Sequence, residues 1–179
     1  MTPPEGAVVV LTGIMASGKS TVAQALAERL PKAAHVRGDA FRRMIVSGGA
    51  EYEGEAGSEG EAQLRLRYRL SAAAADTYAG AGFAAVVQDV ILGAELTSYV
   101  ELLRTRPVYV VVLAPRPDAV AAREAARGKT GYGAWTVEDL DAILREQTPR
   151  VGLWLDSTEL TVDQTVDGIL AGLDEARVA

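Results

Sequence analysis

The chain has 179 residues, 49% hydrophobic and 23% charged, enough apolar length for one core of ordinary domain size. Its net charge of −6 argues against a broad nucleic-acid surface, which needs a basic face to displace counterions from phosphates. No cysteine and a single histidine exclude disulfides, thiolate chemistry and most protein-held zinc sites.

The N-terminal stretch lacks a basic region, and no apolar run approaches the roughly 20 residues that cross a bilayer. The expectation is one domain over 1–179, cytoplasmic, with neither membrane nor nucleic acid as partner and with a homo-oligomer left open. Residues 7–12 form a continuous apolar run of the kind found in strands buried on both faces of a parallel sheet. Next come Gly13, Ile14, Met15, Ala16, Ser17, Gly18, Lys19, Ser20 and Thr21. They fit G-x-x-x-x-G-K-[ST] between that strand and a helical pattern over 20–30, where a phosphate-cradling loop has to lie. Its glycines permit positive φ, so successive N–H groups can converge on phosphate oxygens at the positive end of the following helix. Lys19 is then expected to neutralise β- and γ-phosphate charge and Ser20 to ligate Mg²⁺, which together imply a nucleoside triphosphate site.

A weaker run, 33–37, makes a second strand, and a short helix over 40–46 follows. Ligands of open α/β sheets bind beyond the carboxyl ends of the strands, so Asp39 is the candidate general base toward an acceptor hydroxyl. Arg42, one turn on, is the candidate contact to an anionic group of that acceptor, while helix N-capping is the bland alternative for Asp39. Residues 47–60 are glycine-rich and acidic and predict a mobile surface loop. A long helix over 61–78 carries Arg65, Arg67 and Arg69, which alternate and form no obvious anion cluster. Strand 84–88 ends at Asp89, where a carboxylate can organise Mg²⁺ or grip the acceptor. A helix over 94–103 and a strand over 108–113 lead to a helix over 117–127. There Arg123 and Arg127 stand at i and i+4, ahead of a glycine-bearing segment. This predicts a lid over 123–136 that brings both arginines onto the transferring phosphoryl group, against the alternative of an ordinary solvated face. A helix over 137–145 is capped by Thr136, a strand lies at 152–155, and a helix over 162–176 opens with a Thr161/Gln164 capping box. Trp135 and Trp154 are expected in packing roles, and His35 in a structural one. Strands alternating with helices imply a three-layer α/β fold with a mostly parallel five-stranded sheet.

The segments LTGIMASGKST, RGDAFRR, VVQDVILG and REAARG, in this order, resemble the small P-loop kinases and most of all the chloramphenicol phosphotransferase family. The resemblance implies the P-loop fold of the nucleotide and shikimate kinases, with transfer of the ATP γ-phosphate to a small-molecule hydroxyl, often that of an antibiotic. By position, residues 13–20 match the family's phosphate loop and Asp39 its base. Asp89 matches the acid after the third strand, and Arg123 and Arg127 the lid arginines. Gln88 stands where the family commonly has a further acid. The D-x-x-R pattern at Asp39 and Arg42 is also similar to gluconate, shikimate and adenylylsulfate kinases, which keeps a metabolic kinase as the competing enzyme. A toxin-like kinase of an activated sugar and a nucleotide-dependent switch are further alternatives. Residues 156–161 resemble the segment that contacts adenine in such kinases, making Thr158 a candidate nucleotide contact and ATP the expected cofactor with Mg²⁺. Acceptor recognition is expected within 40–80.

Overall fold

The computed structural model describes residues 1–128 and 133–179. Five strands, β1 (Val8–Thr12), β2 (Ala33–Arg37), β3 (Ala84–Gln88), β4 (Val108–Leu113) and β5 (Leu153–Leu155), form one sheet in the order β2-β3-β1-β4-β5 with every pairing parallel. The central strands β3, β1 and β4 are buried along their whole length and carry the unbroken apolar runs. Strands β2 and β5 lie at the edges and are partly exposed, so their sequences need fewer apolar residues and their signals are weaker. Helices are α1 (Lys19–Arg29), α2 (Gly38–Arg43), α3 (Glu59–Gly80), α4 (Glu95–Leu102), α5 (Pro117–Ala126), α6 (Val137–Ala142), α7 (Val162–Ala171) and α8 (Leu173–Ala176). The expected α/β architecture with a five-stranded parallel sheet is the one observed.

Alternation along β1 sends successive side chains into two separate cores. Val8 and Val10 pack with Tyr68 and Ala72 of α3 and Leu96 and Tyr99 of α4. Val9 and Leu11 pack with Val22 and Leu26 of α1 and Val166 and Ile169 of α7. Each fully buried aliphatic side chain contributes about 1.5–3 kcal/mol, so both layers are held to the sheet by apolar burial. At the carboxyl end of β1 the buried Thr12 hydroxyl donates to the Ile91 carbonyl at 2.9 Å and accepts from the Ile91 N–H at 2.9 Å. The loop after β3 is thereby tied beside the loop after β1.

Several boundaries differ from the sequence expectation for local reasons. The helix expected over 162–176 breaks at Gly172, which packs so closely on Leu153 that an added Cβ would lie 2.8 Å from its Cδ2. The helix expected over 137–145 leaves α-geometry after Ala142 and closes as a π-helical turn, Ile143–Gln147. Helix α2 begins at Gly38, two residues early, so Asp39 lies inside its first turn. Residues 47–60 do not hang free. Gln63 of α3 accepts from the Ala50 N–H and donates to the Gly48 carbonyl, both at 2.8 Å, while Gly60 backs onto the Glu51 carbonyl, where a Cβ would stand 2.1 Å away. Among the described residues no helix is long and apolar enough to cross a membrane.

Candidate functional site

The loop between β1 and α1 is shaped by backbone conformations that few side chains tolerate. Gly18 has φ +94 and Ala16 has φ +60, the one non-glycine described with positive φ. Gly13 approaches the end of β4 so closely that a Cβ would meet the Leu113 carbonyl oxygen at 2.6 Å. Helix α1 has no side-chain cap and no acidic residue in its first turn, so its positive end is left to an anion. The Ser17 hydroxyl is buried in this loop without a hydrogen-bond partner. These features fit a chain of phosphates. Lys19 is only 6% exposed, and its Nζ donates to the Ile14 carbonyl at 2.7 Å across the loop. Burial pushes its pKa down to about 8; the Asp89 carboxylate works against that shift, and Arg67 and Arg127 reinforce it. A phosphate would supply the negative charge that this ammonium lacks. Ser20 is exposed at the start of α1 and is the hydroxyl available to a phosphate-bound Mg²⁺, and Thr21 is exposed beside it.

On the acceptor side, the Asp39 carboxylate is 45% exposed and pairs with Arg43 at 3.3 Å. The N-cap of α2 is Arg37 and makes no side-chain cap, so capping is not the role of Asp39. Arg42, expected to meet an anionic group, is paired with Glu51 instead, both side chains being exposed. Asp89 is 2% exposed and is gripped by Arg67 from α3. Arg67 Nε donates to Oδ2 at 2.8 Å, Nη2 donates to Oδ1, and the Val90 N–H also donates to Oδ1 at 2.8 Å. Gly38 lies directly against this carboxylate, where a Cβ would fall 1.9 Å from Oδ2. Burial works against the Arg67 charge, but hydrogen bonding and attraction to Asp89, with a contribution from Asp39, hold its pKa above the ordinary value. Arg67 is the site residue that sequence reasoning passed over. Its signal was available in the inward face of α3, where Gly60, Tyr68, Ser71 and Ala75 recur at helical spacing and Arg67 falls on the same side.

Arg123 and Arg127 both reach the phosphate loop. Arg123 Nη1 donates to the Ser17 carbonyl at 3.4 Å, and Arg127 stands near enough to Lys19 to depress its pKa. Of the lid expected over 123–136, residues 129–132 lie outside the described residues. Beyond them Trp135 Nε1–H donates to the Tyr52 carbonyl at 3.3 Å, joining this stretch to the loop that precedes α3. Thr158 lies past β5, where its hydroxyl accepts from the Arg116 N–H at 2.8 Å and its own N–H donates to Asp156 at 3.0 Å. The Thr158 hydroxyl also donates to Asp156 Oδ1 at 2.5 Å, and this bond, with that of the Thr158 N–H, holds the Asp156 carboxyl below its ordinary pKa.

No curated protein matches the sequence. Solved structures share its fold across nearly the whole chain. The APS kinase of Mycobacterium tuberculosis in complex with AMPPNP and APS is 18% identical with a TM-score of 0.68, covering 96% of this chain and 99% of that one. The tunicamycin resistance protein of Deinococcus radiodurans is 19% identical with a TM-score of 0.67, covering 100% and 99%. A gluconokinase from Sinorhizobium meliloti 1021 is 20% identical with a TM-score of 0.64, covering 96% and 94%. These likenesses establish the α/β P-loop kinase fold. A family model described as AAA domain matches residues 8–149, and the chain therefore belongs to the AAA domain family, carried on that fold.

Proposed function

We propose that the protein is an ATP-dependent small-molecule kinase that moves the γ-phosphate of Mg·ATP onto an acceptor hydroxyl. The observation that carries this reading is that one sheet places a buried, phosphate-seeking Lys19 after β1 and a half-exposed, uncapped Asp39 after β2, two strands across, both at the carboxyl ends of the strands. The acceptor oxygen attacks the γ-phosphorus while its proton passes to the Asp39 carboxylate. The bond to the β–γ bridging oxygen breaks, and ADP leaves. Lys19, the loop amides at Gly13 to Ser20 and the α1 terminus hold the β- and γ-phosphates, with Thr21 flanking them. Arg123 and Arg127 meet the charge that develops on the transferring group. Mg²⁺ would supply charge neutralisation when bound, with Ser20 as the side chain that would hold it, while both Asp89 oxygens are taken by Arg67. Residues 156–161, Thr158 among them, hold the adenine.

Within this class the acceptor is read as an antibiotic hydroxyl, in a chloramphenicol phosphotransferase-like role in the cytoplasm. Support comes from the sequence resemblance over LTGIMASGKST to REAARG and from the shared fold with a tunicamycin resistance protein. The test is ATP consumption with Mg²⁺ against hydroxylated antibiotics, nucleosides, sugars and sugar acids, with Lys19→Ala as blank. Stimulation by one acceptor with a mass gain of one phosphate is expected. ATP bound without stimulation by any acceptor would overturn the kinase reading.

A further inference from the structure

We propose that the Arg67–Asp89 pair makes this site selective for an uncharged acceptor, with Asp89 cancelling the largely buried guanidinium that α3 brings to the end of β3. The inference rests on the kinase reading for its location and on the ion pair for its content.

Arginine is the residue best suited to fork a carboxylate, sulfate or phosphate group. Arg67 is 16% exposed, so an unpaired guanidinium here would be a strong anion trap. Its fork is instead closed on Asp89 through Nε and Nη2. The Val90 amide bonds the same carboxylate, and Gly38 abuts it with no room for even a methyl group. Asp89 therefore has no free direction in which to yield to an incoming anion. Arg43 meets Asp39 at 3.3 Å and Arg65 meets Glu61 at 3.0 Å, but both arginines are exposed and these pairs count for little. Arg42 meets Glu51, although that exposed pair opens easily and decides little. Arg69 is two residues from Arg67, about 200° around the helix, and points away. An anionic acceptor would also approach the half-exposed Asp39 carboxylate. Partly exposed apolar groups, Phe41, Leu64, Leu92 and Trp135, pack onto the core from the elements bordering the same strand ends and suit a neutral, partly apolar molecule.

The test has two arms. In the first, kcat/KM is measured for matched pairs, glucose with gluconate and thymidine with thymidine 5′-monophosphate, with chloramphenicol as a further neutral acceptor. The wild-type protein is expected to favour the neutral member at least about tenfold, the scale of one lost charge-assisted contact. Preference for a charged member overturns the inference. The second arm needs no turnover: AMPPNP fills the phosphate loop and sulfate binding is followed by calorimetry. Asp89→Asn is expected to bind sulfate at least about tenfold more tightly than wild type, with the gain lost in Arg67→Met/Asp89→Asn. Equal sulfate affinity in wild type and Asp89→Asn overturns the inference. Should Asp89→Asn fail to fold with Arg67 left unpaired, wild type and the double variant decide between them: no sulfate binding by the wild-type AMPPNP complex supports the inference, and wild-type sulfate binding that is lost in Arg67→Met/Asp89→Asn overturns it. A positive second arm with no acceptor turned over means that the kinase reading fails while the charge inference stands.

Discussion

Lys19→Met should make the protein more stable while destroying its activity. The substitution keeps the aliphatic stem and removes the ammonium of a residue that is 6% exposed. Burial is the main reason that the Lys19 pKa falls from 10.5 to about 8, a drop equivalent to about 3 kcal/mol against the folded state at neutral pH. Losing the 2.7 Å bond to the Ile14 carbonyl returns about 1 kcal/mol of that. The net gain is about 2 kcal/mol, or about 4–8 °C in Tm for a chain of this size. Its pH dependence has a definite sign. The folded pKa lies below the unfolded one, so between about pH 8 and 10.5 the unfolded chain binds more protons and wild-type stability rises with pH. The advantage of the variant should therefore be full at about pH 7 and shrink toward pH 10.5. Urea and thermal unfolding without nucleotide, at about pH 7 and about pH 10, measure both quantities. A variant less stable than wild type at neutral pH, or a gap that does not change with pH, would refute the account of Lys19 as a charge held ready for phosphate.

Asp39→Asn should lower kcat by about 10²–10⁴-fold and leave the ATP dissociation constant unchanged, as read by single-turnover kinetics and calorimetry; a normal kcat removes Asp39 as base. Gly38→Ala places a Cβ 1.9 Å from Asp89 Oδ2. It should cost about 1–3 kcal/mol in urea unfolding, because the carboxylate cannot retreat without opening the pair with Arg67. If Arg123 meets the charge of the transferring phosphoryl group as proposed, Arg123→Ala should reduce kcat by about 10³-fold or more with an unchanged Tm, since its bond to the Ser17 carbonyl is long.

The sheet and the phosphate loop were legible because their determinants are local. An unbroken apolar run, a glycine at each end of the loop and a lysine at the helix start all lie within residues 7–20. Asp39 could be placed at a strand end by the same means, yet its freedom from capping depends on α2 starting at Gly38. What escaped notice was long-range pairing. Arg67 lies on the side of α3 opposite Arg65 and Arg69, and its partner stands on the loop after β3, 22 residues away. The link from Arg123 to Ser17 spans 106 residues and was anticipated only through motif spacing. The acidic, glycine-rich stretch 47–60 predicted mobility from composition, whereas Gln63 and the missing Cβ of Gly60 supply its anchorage on α3.

The contact between Trp135 and Tyr52 has an optical consequence. Indole emission shifts with the polarity and hydrogen bonding of its surroundings, and the Trp135 ring is bonded to the Tyr52 carbonyl while resting 3.1 Å from where a Cβ of Gly54 would be. The chain's other tryptophan, Trp154, lies on β5 beneath the Arg150 guanidinium, 3.9 Å from the ring centre. In a Trp154→Phe background, fluorescence excited at the red edge of the indole band, beyond tyrosine absorption, would come from one tryptophan docked on the loop ahead of α3. Any rearrangement of that loop as a small molecule enters would then change the colour of the emitted light, with no label attached.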